Sequence, residues 1–531
     1  MDYLKELNNS QYDGVVNTEG PSLIIAGAGS GKTRVLTYRI AHLIKSSNIE
    51  PFNILALTFT NKAALEMRER IEEIVGEEAK NIWMGTFHSV FARILRAESS
   101  KIGYPGNFSI YDTDDSKAVI KSIIKDMNLD DKVYKPNMVF SQISNAKNRM
   151  ISWKDYQQSA SIQSDDEQSM KPQLGKIYKL YVDRCFKSSA MDFDDLLFNT
   201  YSLFKKHPDV LNKYQHRFQY VLVDEFQDTN LCQYLITKKL AAVRQNICVV
   251  GDDAQSIYAF RGADITNILN FEKDFPELKL FKLEQNYRST QTIVNAANGV
   301  IKKNKAQISK EVWTENPVGD LIELVKANSD SEEGKLVASS IFEAKMNKKL
   351  KNGDFAVLYR TNSQSRSIEE ALRRMNIGYR IVGGLSFYQR KEIKDILSYL
   401  RFVVNGNDEQ ALKRIINLPK RGIGSTTINK IVLTAYENDI SLWKVMENIN
   451  QVLSGRAAYA IGEFVLLIKR FRQEVKRHDA FEAARTIAKD SGLLKELYED
   501  KTVEGLNRYE NVQELLNAIK EFVDNEENTD K

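Results

Sequence analysis

The chain has 531 residues, 42% of them hydrophobic and 27% charged, which is ordinary for a soluble globular protein; the length excludes a single core and predicts roughly three or four domains. Its 75 basic and 71 acidic residues nearly cancel, to +4, so bulk charge announces no nucleic-acid partner and leaves room only for a local basic groove. The N-terminal MDYLKELNNSQ lacks an apolar signal core, and no run approaches the ~18–20 apolar residues of a membrane span. Cys185, Cys232 and Cys248 lie far apart without metal spacing, as expected of small core residues in a reducing cytoplasm.

Strand-like and helix-like patterns alternate along the first part of the chain. Residues 23–28 form a short apolar run, followed by a helical pattern through Val35, Leu36, Ile40, Leu43 and Ile44. Residues 54–60 (ILALTFT) predict a buried strand, and 62–75 the next helix. The stretch 109–189 is mostly helical and polar and includes QQSASIQSDDEQS (157–169), expected as a flexible loop. Two further apolar runs, 220–223 and 247–250, follow. The alternation predicts a mainly parallel sheet covered by helices. A second α/β series begins near Leu278, with strands expected at 280–283, 321–325, 355–359 and 379–382 and helices between them, such as 365–375. From about Ser386 the pattern is helical to the end, broken by the turn PKRGIG (419–424), and the terminal DNEENTDK is expected to fray.

The first motif is AGAGSGKT: Ala26, Gly27, Ala28, Gly29, Ser30, Gly31, Lys32 and Thr33. Glycines let the backbone curl so that several N–H groups aim at phosphates, and the following helix adds its positive end. Lys32 would reach the outer phosphates and Thr33 a magnesium ion. The strict P-loop pattern has glycine where this chain has Ala26, and Lys32 stands where a dinucleotide fingerprint would have its third glycine. A bare glycine-rich turn is the alternative, made weaker by the flanking strand and helix. A P-loop also needs an acidic partner. YVLVDE (220–225) supplies one, with Asp224 suited to magnesium and Glu225 to orienting and deprotonating a water. The long separation of these two motifs makes the helical stretch 109–189 an insertion.

Several further motifs occur in order. They are LNNSQ (7–11), TFTNKAA (58–64), GTFHS (85–89), MDFDDLL (191–197), VDEFQDTN (223–230), GDDAQSIYAFRGA (251–263), LEQNYRS (283–289), VLYRTNSQSR (357–366) and FYQRKEIKD (387–395). With these the chain resembles the superfamily 1 DNA helicases of the UvrD/Rep/PcrA type over nearly its whole length. The resemblance implies two RecA-like P-loop NTPase-type units of α/β fold, each with a mainly helical insertion. The first unit would be 1–108 with 190–281 and its insertion 109–189. The second, incomplete, would be 282–385 and its insertion 386–531.

The resemblance also implies roles. Gln11 would read the adenine edge, and Arg34 and Tyr287 would pack on the nucleotide. Gln255 would link the γ-phosphate to DNA, and Arg288 would touch that phosphate from the second unit. For Arg288 a surface ion pair is an equal alternative on the residues alone. Phe59, Tyr258 and Phe260 read as core rings by themselves; the resemblance makes them base-stacking residues, with Phe260 where some relatives have tryptophan. Thr60, Asn61, Thr86, His88, Arg261, Arg360 and Asn362 would contact or flank the DNA backbone. The PKRGIG turn resembles a backbone-binding hairpin, with a plain helix–helix turn as the alternative.

The implied activity is ATP-dependent, Mg²⁺-requiring translocation on single-stranded DNA and unwinding at single-strand/duplex junctions, 3′ to 5′, in repair or replication with partner proteins of those pathways and without a membrane. A DNA-stimulated ATPase that strips proteins from DNA uses the same motifs, and a non-catalytic DNA-binding fragment is the third alternative. The family's later motifs, around Lys-Gly-Leu-Glu and Thr-Arg-Ala segments, are not found. The expectation is therefore a truncated chain whose second unit lacks its later strands and a second γ-phosphate arginine, and which by itself binds ATP but is impaired in DNA-stimulated hydrolysis and processive unwinding.

Overall fold

The structure is a computed structural model that describes residues 2–304, 307–382 and 386–524. The expected boundary at 385/386 and residues 525–531 of the tail expected to fray lie outside the described residues.

Eight strands are described. They are β1 (Ser22–Ala26), β2 (Ile54–Thr58), β3 (Trp83–Thr86), β4 (Ser109–Tyr111), β5 (Ala190–Asp192), β6 (Tyr220–Val223), β7 (Ile247–Gly251) and β8 (Lys279–Leu283). Six form one sheet in the order β3-β2-β6-β7-β1-β8, and every pairing in it is parallel. Its inner strands β1, β2, β6 and β7 are buried at every position, as continuous apolar runs with helices on both faces must be. One face packs on Phe87, Phe91, Leu196, Phe204 and Phe271, the other on Val35, Leu36, Ile40, Met67 and Ile71. Cys185, Cys232 and Cys248 are buried and free, as core residues. Because the strands are parallel, their C-terminal ends share one edge, where open α/β sheets bind ligands. That edge receives the P-loop from β1, Asp224 from β6, Asp252 from β7, and Thr60 and Thr86 just after or at the ends of β2 and β3.

The helical stretch inserted after β3 is clasped by the parallel pair β4–β5 and has its own core around Ile120, Ile123, Ile143, Ile177 and Tyr181. Residues 157–169 correct the expectation of a loop. They carry the end of helix Trp153–Gln158 and the helix Ala160–Gln168, which Ser159 caps through the Ile162 N–H at 3.5 Å. The second helix buries nothing, which is why its polar sequence reads as loop.

The second α/β series needs two corrections. Residues 279–283 do form a strand, but β8 pairs with β1 on the first sheet, with Ala26 opposite Leu283. The unit boundary expected at 281/282 therefore falls inside a strand. Residues 321–325, 355–359 and 379–382 are not strands among the described residues, and Leu321, Leu324 and Leu358 are 86%, 96% and 94% exposed. A strand forms only where a neighbouring backbone completes its ladder, and no strand pairing involves these segments among the described residues. What packs there is a small cluster between helices Asp330–Lys348 and Ser365–Arg374, around Ala338, Ile368 and Leu372. The described residues from Lys391 to Asp524 are mainly helical, with a separate core around Ile396, Phe402, Ile431, Phe464 and Phe471. No helix among the described residues is long and apolar enough to cross a membrane.

Candidate functional site

The P-loop curls as its glycines dictate. Gly29 and Gly31 hold φ of 70° and 88°, a region that favours glycine. A Cβ on Gly27 would lie 2.5 Å from Val312 Cγ2, so nothing larger fits there. Ala26 departs from the strict pattern without consequence, because it is still inside β1. Ser30 closes the turn by donating its hydroxyl to Gly27 O at 2.7 Å. The helix Lys32–Lys45 then starts with no side-chain cap, which leaves its first amides aimed at the loop's mouth.

Lys32 Nζ lies 3.3 Å from Glu225 Oε2. The same oxygen accepts from Gln227 Nε2 at 2.9 Å. Glu225 itself sits at φ 48°, an uncommon conformation for a non-glycine residue, and its N–H donates to Asp224 Oδ1 at 3.0 Å. Asp224 is buried, and Asp228 stands close by. Burial first, and then the charge of Glu225, push both carboxyls up to about 6. Asp228 Oδ1 is buried without a hydrogen-bond partner among the described residues. The carboxylates of Asp224, Glu225 and Asp228 outnumber the one ammonium near them, and this net negative charge suits a hard dication. No cluster of three or more protein ligands for a metal exists among the described residues, so such an ion would draw on phosphate and water oxygens as well.

The raised Asp224 carboxyl has a consequence for stability. Between pH ~4 and ~6 the folded state binds the extra proton, so stability falls as pH rises through that window. Asp224→Asn, which cannot ionise, should therefore stabilise the ligand-free protein at pH 7 by about 2–3 kcal/mol. The gain should fade as pH falls toward 4. Thermal melts at both pH values check this, and an equal gain at each would show that ionisation is not the cause.

The segment after β8 docks on the P-loop. Asn286 Nδ2 donates to Ala28 O at 2.6 Å, and the Tyr287 N–H to Gly29 O at 3.0 Å. Asn286 Oδ1 accepts the N–H groups of Arg288 and Ser289, which fixes where Arg288 leaves the chain. Arg288 thus stands beside the P-loop, just past the end of β8. Gln11 is 2% exposed; its amide accepts from the Asn8 N–H at 3.2 Å and donates to Ser30 O at 3.0 Å. One N–H and one lone pair stay available for a base edge. Asn8 Nδ2 also donates to the Tyr287 hydroxyl at 2.7 Å. Arg34 instead pairs with Glu6 at 3.4 Å, a half-exposed contact that costs little to break.

The other expected residues line the same edge of the sheet or lie beyond it. Tyr258 and Phe260 are 40% and 76% exposed, with rings 5.9 Å apart at 36°. Phe59 is half-buried and meets Phe87 edge-on at 5.8 Å, so it is partly core. Thr60 and Thr86 cap helices Asn61–Val75 and Phe87–Glu98, which begin at the strand ends. Asn61 is exposed. His88 packs edge-on against Phe193, itself 49% exposed, and burial lowers the pKa of the imidazole, so it is neutral at pH 7. Arg360 and Asn362 are exposed on a segment of their own. The side chain of Arg261 lies outside the described residues. In the 419–424 turn, Arg421 is a staple: it donates to Leu418 O at 2.9 Å and to the Tyr399 hydroxyl at 2.7 Å, while Gly422 and Gly424 face open space. Gln227, Asn286 and Phe193 escape sequence reasoning, although all three lie inside motifs already singled out.

A strand, a glycine loop, a helix start and a strand-end carboxylate pair in this geometry define a P-loop nucleoside-triphosphate site. Comparison with known proteins sharpens the class. The model of the UvrD/REP helicase N-terminal domain matches residues 7–276, and that of the UvrD-like helicase C-terminal domain matches 281–531. Proteins named ATP-dependent DNA helicase PcrA from Staphylococcus epidermidis and Staphylococcus aureus are 45% identical to it over 523 residues, 98% of this chain and 71% of theirs. The chain belongs to the UvrD/REP helicase family.

Proposed function

We propose that this chain is an ATP-dependent DNA helicase that moves along single-stranded DNA from 3′ to 5′, in the cytoplasm, in repair or replication. One observation carries the reading. A continuous chain of polar contacts runs from Lys32 through Glu225 and Gln227 to Asp252 and Gln255, and the loop bearing Gln255 carries Tyr258 and Phe260 within five residues. The state of the nucleotide and the grip on a base therefore bear on one short loop. Thr33 and Asp224 would hold magnesium, which would neutralise phosphate charge. Lys32 and the loop amides would bind the phosphates, Glu225 would orient and deprotonate the attacking water, and Arg288 would stabilise charge on the γ-phosphate. Gln11 would contact the adenine, with Tyr287 and Arg34 packing on it. Thr60, Asn61, Thr86, His88, Arg261, Arg360 and Asn362 would follow the DNA backbone, and the exposed Phe193 would add a ring beside His88. The two units would be 1–108 with 190–283, and the segment from 284, each with its helical insertion.

Stacking and charge separate in a binding assay. Phe260→Ala and Tyr258→Ala should each weaken oligonucleotide binding by ~1–3 kcal/mol with little dependence on base. Arg360→Ala should lower the salt slope by ~0.7, whereas His88→Ala should leave it unchanged because a neutral imidazole releases no counterion. Fluorescence anisotropy across a salt series measures both effects. Full affinity in the aromatic variants would remove those rings from the DNA track.

Unwinding itself is tested on duplexes with 3′ or 5′ tails. Displacement from the 3′-tailed substrate alone is expected. Removal of a tightly bound protein from single-stranded DNA, with no strand displacement on either substrate, would favour the protein-stripping ATPase instead.

A further inference from the structure

The loop that carries Gln255 is held from outside by a single lysine. Lys310 Nζ lies 2.9 Å from Asp252 Oδ1 and is ion-paired with Asp253 Oδ1. The Ile308 N–H donates to the other Asp253 oxygen at 2.8 Å. The three side chains are 8%, 3% and 0% exposed. Burial disfavours the charged ammonium, but the hydrogen bonds and charges of Asp253 and Asp252 outweigh it and hold Lys310 above the usual lysine range. The second oxygen of Asp252 accepts from Gln255 Nε2 at 2.6 Å. The Asp252 N–H donates to Gln227 Oε1 at 2.9 Å, and Gln227 in turn holds Glu225. Asp252 is thus the node where the water-activating carboxylate, Gln255 and Lys310 meet.

Lys310 belongs to neither β7 nor its loop. Two residues on, Val312 lies against Gly27 of the P-loop. Trp313 exchanges main-chain hydrogen bonds with Glu284 and Asn286, which flank Gln285 just past the end of β8. One short stretch therefore grips the Gln255 loop at one end and the phosphate cradle at the other.

We infer that Lys310 is a positioning residue that couples the nucleotide site to the DNA-facing loop by holding Asp252 and, through it, Gln255. The inference rests on the proposed role of Gln255 as the link between phosphate and DNA. Removing the ammonium leaves the two buried carboxylates without their counter-charge, so Asp252 and, through it, Gln255 are no longer held in place.

The test is thermodynamic coupling in the full chain. Anisotropy gives the affinity for a fluorescein-labelled oligothymidylate with and without a non-hydrolysable ATP analogue and magnesium. The ratio of the two affinities should be roughly 5–150 in the unaltered chain. In Lys310→Met the ratio should fall toward one while affinity without nucleotide is unchanged. Gln255→Ala should also bring the ratio down toward one, and the double variant should be no worse than Gln255→Ala. A ratio of one in the unaltered chain would sink the role of Gln255 itself. A normal ratio there that survives in Lys310→Met overturns the inference, as does a loss that adds to that of Gln255→Ala. Equal weakening with and without nucleotide would make Lys310 merely structural and would overturn it too. If Lys310→Met melts too early to assay, Lys310→Met/Asp253→Asn leaves one unpaired carboxylate instead of two and carries the same test.

Discussion

Glu225→Gln should bind Mg-ATP with unchanged affinity and hydrolyse it ~10²–10⁴ times more slowly. The amide keeps the shape of the carboxylate and can still accept from Gln227 Nε2, so the relay to Asp252 survives. What it loses is the capacity to take a proton from water. Lys32→Ala should fail differently, because it removes the ammonium from the mouth of a loop whose other donors are backbone amides. Titration with a fluorescent ATP analogue beside steady-state hydrolysis separates the two outcomes. Intact hydrolysis in Glu225→Gln would move the base elsewhere, with Asp228 the first alternative.

Arg288→Ala should lower turnover further, by ~10³–10⁵, the range found when an arginine is taken from a phosphoryl-transfer site. Its chain exit is fixed by two hydrogen bonds to Asn286 Oδ1, while its side chain is exposed beside Gly29. An arginine tethered at the backbone, with no side-chain partner among the described residues, fits a group that engages only when the γ-phosphate is present. Arg288→Lys should not restore the rate, because a point charge lacks the planar fork. Single-turnover hydrolysis measures both variants. A rate within the error of the unaltered chain would return Arg288 to the surface.

The parts of this fold that were legible in the sequence share a physical cause. Strands β1, β2, β6 and β7 are buried on both faces, so each is a continuous apolar run bounded by turn residues. Lys32 and Glu225 were legible because a glycine loop and a strand-end carboxylate pair have local signatures. β8 was assigned to the wrong sheet because periodicity reports burial, not which neighbour a strand chooses; at the edge, with Leu280 48% exposed, even the burial signal is weak. Residues 157–169 read as loop because their helix buries nothing, and only the Ser159 cap marks its start. Lys310 had no local signature at all. Its role exists only because folding brings residue 310 against residues 252 and 253. His88 shows the reverse case, a residue singled out by the resemblance whose charge burial then disfavours.

The central claim is that DNA on the aromatic loop and ATP on the P-loop act on each other through Gln255. Its most direct measurement is steady-state ATP hydrolysis by this chain titrated with single-stranded oligonucleotide, beside Glu225→Gln and Phe260→Ala. Hydrolysis should rise saturably with DNA, require more DNA in Phe260→Ala, and stay ~10²–10⁴-fold lower at every DNA concentration in Glu225→Gln. A rate indifferent to DNA, or a DNA-stimulated rate that persists in Glu225→Gln, would contradict it.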